Sequence, residues 1–215
     1  LVVFNDAEGL DRDGPIRACG VLDTLIHRGE LPPTVGVFIM PGRPVDCPTD
    51  KELIAEQGGD PAGDLSNFVF VLDPRASLQR QVEYDRVTDA YPQFIDEEVL
   101  PFAEEHIGRP FSSDPMQRLM GGISSGGIAA FNAAWWRPNS FGLVLSHCGS
   151  FTGLNGGQNF PFIVRRSPRR DIRVVLTSGS NDMASHTRIL CVFGLALLSA
   201  CGAHRITPRA TGRLR

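Results

Sequence analysis

Short apolar segments alternate along this chain with longer stretches in which apolar residues recur at helical spacing. Five apolar segments predict buried strands: "LVVF" (1–4), "TVGVFIM" (34–40), "RLMGGI" (118–123), "FGLVLSHCGS" (141–150) and "IRVVLTSGSND" (172–182). Helical spacing marks the segments 16–29, 87–108 and 128–138 between them. Strands that alternate with helices predict a three-layer α/β sandwich with a mainly parallel sheet.

The longest predicted helix, "VTDAYPQFIDEEVLPFAEEHIG" (87–108), has one apolar face and one acidic face. Pro101 is expected to kink it. Its apolar face is expected to consist of Phe94, Ile95, Val99, Phe102 and Ala103. Residues 45–77, by contrast, are rich in turn-forming residues and predict an insertion or a lid, in which "FVFVLD" (68–73) fits a strand or an apolar loop.

The segment "GGISSGG" (121–127) joins a predicted strand to a predicted helix and contains a G-x-S-x-G pattern centred on Ser124. A serine at such a sharp turn must adopt a strained backbone conformation, and side chains two residues away would collide with neighbouring segments. Ser124 is therefore the candidate nucleophile. The backbone N–H of Ser125, at the start of the helix, is expected to stabilise an oxyanion, and a second donor is expected at Ala7.

Two other interpretations of these glycines stay open. A phosphate-binding loop would be expected to place a lysine after the glycines or to follow a G-x-G-x-x-G pattern, but the only lysine of the chain is Lys51. The segment could also be a structural turn without chemistry.

A serine hydroxyl needs a general base, and in this architecture the expected chain order is Ser, then Asp or Glu, then His. Asp182 follows the last predicted strand and is the candidate acid, with an ordinary turn residue as the alternative. Of the two histidines that follow, His204 is the candidate base, because His186 is only four residues from Asp182. His204 also fits a surface position in a disordered tail.

Two further side chains are candidates for contacting a substrate. His147 ends a predicted strand but precedes Asp182, which favours a position at the strand end or in a pocket wall. Arg80, in "RQVEYD" (80–85), could bind a substrate carboxylate, and a local ion pair with Glu83 is the alternative.

Composition narrows the possible partners and compartment. The net charge is −3, and the ten arginines of residues 161–215 are scattered rather than aligned on one helical face, so no nucleic-acid partner is expected. The longest apolar run, 189–200, is too short to span a bilayer comfortably, so no membrane partner is expected. Five cysteines form no CxxC motif and no metal-like pair with the five histidines, which predicts free thiols and a cytoplasmic location.

Five segments of the chain resemble, in their order and spacing, the enterochelin-esterase-like and esterase D group of the α/β-hydrolase superfamily. They are "LVVFNDAEG", "EYD", "GGISSGGIAAF", "VLSHCGSF" and "GSND". The resemblance covers residues 1–44 and 78–182. It implies an α/β-hydrolase domain over 1–182 that acts on small-molecule carboxylic esters without a metal or an organic cofactor. By this likeness Ser124 matches the nucleophile and Asp182 matches the triad acid.

The chain also departs from that group. The strands expected before "LVVF" are missing, and residues 183–215 lack the expected strand and histidine-bearing turn, which predicts a truncated domain with a divergent, disordered or frameshifted tail. We therefore predict a serine esterase that forms an acyl-enzyme on Ser124. A non-catalytic relative that binds a ligand or partner is the alternative if the catalytic histidine is missing or displaced, and an acyltransferase on the same scaffold is a third possibility. The sequence does not indicate the natural ester or the oligomeric state.

Overall fold

The structure, a computed structural model, describes residues 1–7, 16–56, 58, 73–152 and 155–179. Its centre is a parallel sheet of five strands in the order β2-β1-β3-β4-β5. The strands are β1 (Val2–Asn5), β2 (Gly36–Ile39), β3 (Leu119–Ile123), β4 (Leu143–His147) and β5 (Arg173–Thr177). Four of them lie within segments that the apolar pattern predicts as strands, and β1 extends one residue beyond its predicted segment, to Asn5. The prediction of an α/β fold with a mainly parallel sheet is confirmed.

Seven α-helices connect or flank the strands in the described part of the chain. They are α1 (Ala18–His27), α2 (Asp50–Glu56), α3 (Pro74–Tyr84), α4 (Ala90–Phe94), α5 (Leu100–Ile107), α6 (Ser125–Trp136) and α7 (Phe160–Arg166). A π-helical segment, Ile95–Val99, joins α4 to α5, and 3₁₀ turns lie at Pro115–Gln117 and Gly157–Asn159. None of these described helices is long and apolar enough to cross a membrane.

The sequence pattern did not predict α2 or α3. Helix α2 lies inside the stretch 45–77, and α3 begins in it. The start of α3 nevertheless carries a local signal, because the Asp73 carboxylate accepts the Arg75 N–H at 2.8 Å and Pro74 occupies the first turn. Its low apolar content explains why periodicity missed it.

Helix α6 is the central packing element of the core. It contacts β1, β3 and β4 on one side and α3 and α4 on another, and nearly all its residues are buried. The Phe131 ring lies 4.9 Å from that of Phe160 and 5.8 Å from those of Phe151 and Trp135, measured between centroids. A helix enclosed on all sides has a rigidly placed N-terminus, and this end of α6 lies beside the carboxyl ends of the strands.

The apolar face predicted for the long helix is partly wrong. Phe94 and Phe102 are 43% and 71% exposed, whereas Ile95 and Leu100 are buried. The cause is the π-helical segment, in which the Leu100 N–H donates to the Ile95 carbonyl five residues back. The extra residue in that turn shifts the following residues by one position, so that Leu100 faces the core where a regular helix would present Val99. The same shift moves Phe102 away from the core.

Parallel register brings the ends of three strands to one edge of the sheet. Asn5 pairs with Gly122, which in turn pairs with Ser146. The loop after β1, the turn after β3 and the loop after β4 therefore converge at the same edge, as expected for ligand sites in open parallel sheets.

Candidate functional site

Ser124 occupies the tight turn between β3 and α6. Its backbone angles are φ 56° and ψ −119°, a conformation that costs a non-glycine residue about 1–3 kcal/mol. It stands at the N-cap of α6, yet its side chain makes no capping hydrogen bond, and the amides of Gly127 and Ile128 donate to its carbonyl instead. The hydroxyl is half-buried and is not engaged in capping the helix.

Both glycines around Ser124 are required by close backbone contacts. A Cβ at Gly122 would lie 2.8 Å from the Gly126 Cα and closer still to its carbonyl group. A Cβ at Gly126 would lie 2.6 Å from the Asn5 carbonyl oxygen and 2.8 Å from the Asp6 Cβ. The collisions expected from the G-x-S-x-G pattern are therefore found on both sides of the turn, against α6 and against the end of β1.

The loop after β4 holds the turn from the other side. The Ser124 N–H donates to the His147 carbonyl at 3.0 Å, and the Ser150 N–H donates to the Ser124 carbonyl at 3.0 Å. The hydroxyl oxygens of Ser124 and Ser150 are 3.2 Å apart. Ser150 was not a candidate from the sequence; its signal was its position just beyond a strand whose end meets the same sheet edge as Ser124.

The two predicted oxyanion donors differ in geometry. The Ser125 N–H lies in the first turn of α6, where backbone N–H groups lack intrahelical partners. The Ala7 N–H instead donates to the Ile39 carbonyl of β2 at 3.2 Å. The neighbouring Asp6 N–H donates to the Tyr84 hydroxyl at 3.3 Å. The assignment of the Ser125 N–H as an oxyanion donor stays a prediction, whereas the hydrogen bond of the Ala7 N–H to Ile39 does not favour that of Ala7.

Arg80 does not form the expected ion pair with Glu83. Its Nε donates to Asp6 Oδ1 at 2.9 Å, its Nη2 pairs with Asp6 Oδ2, and its Nη1 donates to the Ser125 hydroxyl at 2.9 Å. The Glu83 carboxylate accepts the Gly42 N–H at 2.9 Å and the Gln79 amide at 2.6 Å. The guanidinium of Arg80 is thus occupied by two side chains of the site, and a role in binding a substrate carboxylate stays a prediction.

Buried ionisable groups lie directly behind this turn. Burial raises the pKa of Asp85, against the Ser125 hydroxyl and the Arg80 charge, which lower it, and its Oδ1 has no hydrogen-bond partner among the described residues. Burial raises the pKa of Tyr84 to about 12 and that of Tyr91 well above its ordinary value. The Tyr91 hydroxyl donates to Asn5 Oδ1 at 2.9 Å, which helps to fix the end of β1.

His147 ends β4 and lines, with Ile123, a cavity of about 1080 Å³ on the face of the sheet covered by α1. Its Nδ1 is 2.6 Å from the Thr177 hydroxyl. The candidate acid Asp182 and the candidate base His204 both lie outside the described residues. Within the described ranges, no group of three or more His, Cys, Asp or Glu side chains is arranged to hold a metal ion.

Solved structures with the same fold belong to esterases. The enterobactin esterase of Shigella flexneri, solved with 2,3-dihydroxy-N-benzoyl-glycine present, is 23% identical with a TM-score of 0.64, and the alignment covers 92% of this chain and 44% of that one. The ferric enterobactin esterase of Salmonella typhimurium is 20% identical with a TM-score of 0.60, covering 93% and 41%. A ferulic acid esterase is 14% identical with a TM-score of 0.57, covering 93% and 71%. At these identities the likeness shows the fold, and this chain spans less than half the length of the enterobactin esterases.

Sequence comparison adds the family. No curated protein matches the chain significantly. The model of the family described as "Putative esterase" matches residues 56–196, which includes Ser124 and Asp182 but not His204. This match begins inside the stretch that we interpreted as an insertion and continues past Asp182, where the motif resemblance ends. The chain therefore belongs to the putative esterase family.

Proposed function

We propose that this chain is a serine esterase domain that cleaves carboxylic esters through an acyl-enzyme on Ser124. The observation that supports this most strongly is the backbone of Ser124, which is held at φ 56° and ψ −119° by glycines on both sides. Strain of this kind persists only where the surrounding structure maintains it, and it is concentrated at functional sites. Family membership and the esterase fold support the same reaction class.

The proposed reaction begins when a base removes the proton of the Ser124 hydroxyl as its oxygen attacks the ester carbonyl carbon. The carbonyl oxygen becomes an oxyanion, which the Ser125 N–H and the positive end of the α6 dipole stabilise. The base returns the proton to the departing alcohol, and water then releases the acid by the same steps in reverse order. We assign the triad carboxylate, which orients the base, to Asp182 and the base itself to His204, as predictions from the sequence.

The substrate is proposed to be a small-molecule ester. One enterobactin esterase of this fold was solved in the presence of enterobactin. That precedent makes a catecholate ester a candidate beside simple esters. His147 remains a candidate for a substrate contact, whereas the Arg80 guanidinium is already bound to Asp6 and Ser125.

A cytoplasmic location is part of the same proposal. The described cysteines, Cys19, Cys47 and Cys148, are free thiols. Thiols without disulfides are typical of reducing compartments. Fractionation of the native host with a periplasmic and a cytoplasmic marker would test the location.

The enzyme assay compares the wild type with Ser124→Ala on a short-chain p-nitrophenyl ester and on enterobactin. The proposal expects hydrolysis by the wild type and a loss of about 10³-fold or more in the variant, because the attacking oxygen is removed. Ser140→Ala is a matched control, since this serine bonds to Asp96 in another part of the molecule. Equal rates for the wild type and Ser124→Ala would contradict the proposal and favour a non-catalytic binding role.

A further inference from the structure

Arg80 joins two segments that are far apart in the sequence and meet at the candidate site. One is the loop after β1, where Asp6 binds the guanidinium through both carboxylate oxygens. The other is the first turn of α6, where the Ser125 hydroxyl accepts from Nη1 at 2.9 Å. The side chains of Arg80 and Asp6 are 22% and 18% exposed, so water competes only weakly for these hydrogen bonds.

Helix α3 holds Asp6 at two points. One helical turn after Arg80, the Tyr84 hydroxyl accepts the Asp6 N–H at 3.3 Å and donates to the Ile39 carbonyl at 3.3 Å. Asp6 has φ 57°, in the left-handed region that non-glycine residues rarely adopt. Such a conformation persists only when several contacts maintain it, and α3 supplies contacts to both the carboxylate and the amide of Asp6.

We propose that Arg80 is a positioning residue for the ester hydrolysis: its guanidinium fixes the loop after β1 against the first turn of α6 and so sets the position of the Ser125 N–H beside Ser124. The inference rests on the proposed function. It assigns Arg80 a role different from binding a substrate carboxylate, because its hydrogen bonds are already directed at Asp6 and Ser125. A displacement of an oxyanion donor by about 1 Å reduces turnover by roughly a hundredfold.

The shape of the guanidinium explains why an arginine is used. Its planar fork binds both oxygens of Asp6 while a third N–H reaches Ser125, a combination that a lysine ammonium cannot reproduce in one geometry. Arg80→Lys is therefore expected to behave much like Arg80→Gln. If the positive charge alone were the requirement, Arg80→Lys would restore the wild-type rate, and the inference would be wrong.

The test measures kcat and KM for a short p-nitrophenyl ester in the full chain. Arg80→Gln is expected to lower kcat by about tenfold to a hundredfold and to change KM by less than about threefold, because the uncharged substrate does not contact the guanidinium. Arg137→Gln is the matched control, since Arg137 is 19% exposed and binds Asp89 and Asp96 away from Ser124. It should lower the melting temperature and leave kcat unchanged. A loss of stability in Arg80→Gln with unchanged kcat would reduce Arg80 to a structural role.

A second variant keeps the test decisive if Arg80→Gln folds poorly. Asp6→Asn removes the charge that orients the fork and should reduce kcat by a similar factor. The double variant Asp6→Asn/Arg80→Gln should be little worse than either single variant, because both disrupt one contact. Losses that multiply in the double variant would mean that the two side chains act independently and would overturn the inference.

Failure of the inference can be told apart from failure of the proposed function. Ser124→Ala tests the function. Amide hydrogen exchange tests whether Arg80 holds the loop after β1 against the first turn of α6, and it needs no measurement of activity. Arg80→Gln should accelerate amide exchange in both 1–7 and 124–128, and Arg137→Gln should accelerate it in neither. If wild-type activity survives in Ser124→Ala, the esterase proposal fails; if exchange in the two segments is unchanged in Arg80→Gln, the positioning role fails.

Discussion

Replacing Gly126 by alanine tests how closely α6 must approach β1. The new Cβ would lie 2.6 Å from the Asn5 carbonyl oxygen and 2.8 Å from the Asp6 Cβ. One of these neighbours is backbone, and the other is the first side-chain atom of a residue held by Arg80 and Tyr84. Neither can rotate away, so the start of α6 must shift relative to the end of β1.

The size of that shift follows from the contact distances. Moving the Asn5 oxygen from 2.6 Å to the 3.4 Å at which ordinary contact begins separates the two segments by about 0.8 Å. Overpacking of this kind costs about 1–3 kcal/mol of the free energy of unfolding. Because the shift displaces the Ser125 N–H relative to the ester, we expect kcat to fall by about tenfold to a hundredfold.

Gly20→Ala is the matched control for this prediction. Gly20 lies in α1 and is exposed, and a methyl group added there would meet no atom within 4 Å. The same substitution there should stabilise the protein by about 0.5–1 kcal/mol and leave kcat unchanged. Urea unfolding and p-nitrophenyl ester kinetics would measure both effects. Wild-type kcat in folded Gly126→Ala would refute the argument that this close approach places the Ser124 turn for the proposed reaction.

The remaining predictions concern buried groups. Tyr84 and Tyr91 are the only tyrosines and both have raised pKa values, so native protein should gain no tyrosinate absorbance at 295 nm near pH 10; a gain there with unchanged circular dichroism would contradict their burial. Burial raises the pKa of Tyr84 to about 12, so its contribution to the free energy of unfolding is fully present below about pH 10. That contribution, up to about 3 kcal/mol, is lost between pH 10 and pH 12. Tyr84→Phe should therefore remove this part of the alkaline loss of stability in urea titrations. Burial raises the pKa of Asp85, so its contribution to the free energy of unfolding is fully present at acidic pH and is lost as the pH rises through the raised pKa. Asp85→Asn should therefore become more stable relative to the wild type as the pH rises. A stability difference that does not depend on pH would contradict the burial of Asp85. Phe131→Ala should cost about 3–5 kcal/mol in urea unfolding, and a cost below about 1 kcal/mol would contradict the close aromatic packing around it.

The strands and the Ser124 turn could be predicted because each leaves a local signal. Strands buried on a parallel sheet appear as short apolar runs, and the turn needs glycine on both sides of Ser124. The structure bears out this backbone argument through the φ of 56° at Ser124 and the close contacts at Gly122 and Gly126.

The contacts that support the turn could not be predicted in the same way. Arg80 binds Asp6 across 74 positions of sequence, whereas local pairing along the chain suggested Glu83, three residues away. Such pairings depend on the placement of α3 against the loop after β1, and no periodic pattern encodes it. The exposed Phe102 has a related cause, because a π-helical turn changes the face of a helix without changing its apolar composition.

The central claim is that Ser124 is the nucleophile, and active-site labelling tests it most directly. The wild type and Ser124→Ala would be treated with a fluorophosphonate probe, digested and analysed by mass spectrometry. The account predicts one phosphonate adduct, on Ser124 itself, and no adduct in the variant. An adduct on Ser125 or Ser150, or labelling that persists in Ser124→Ala, would contradict it.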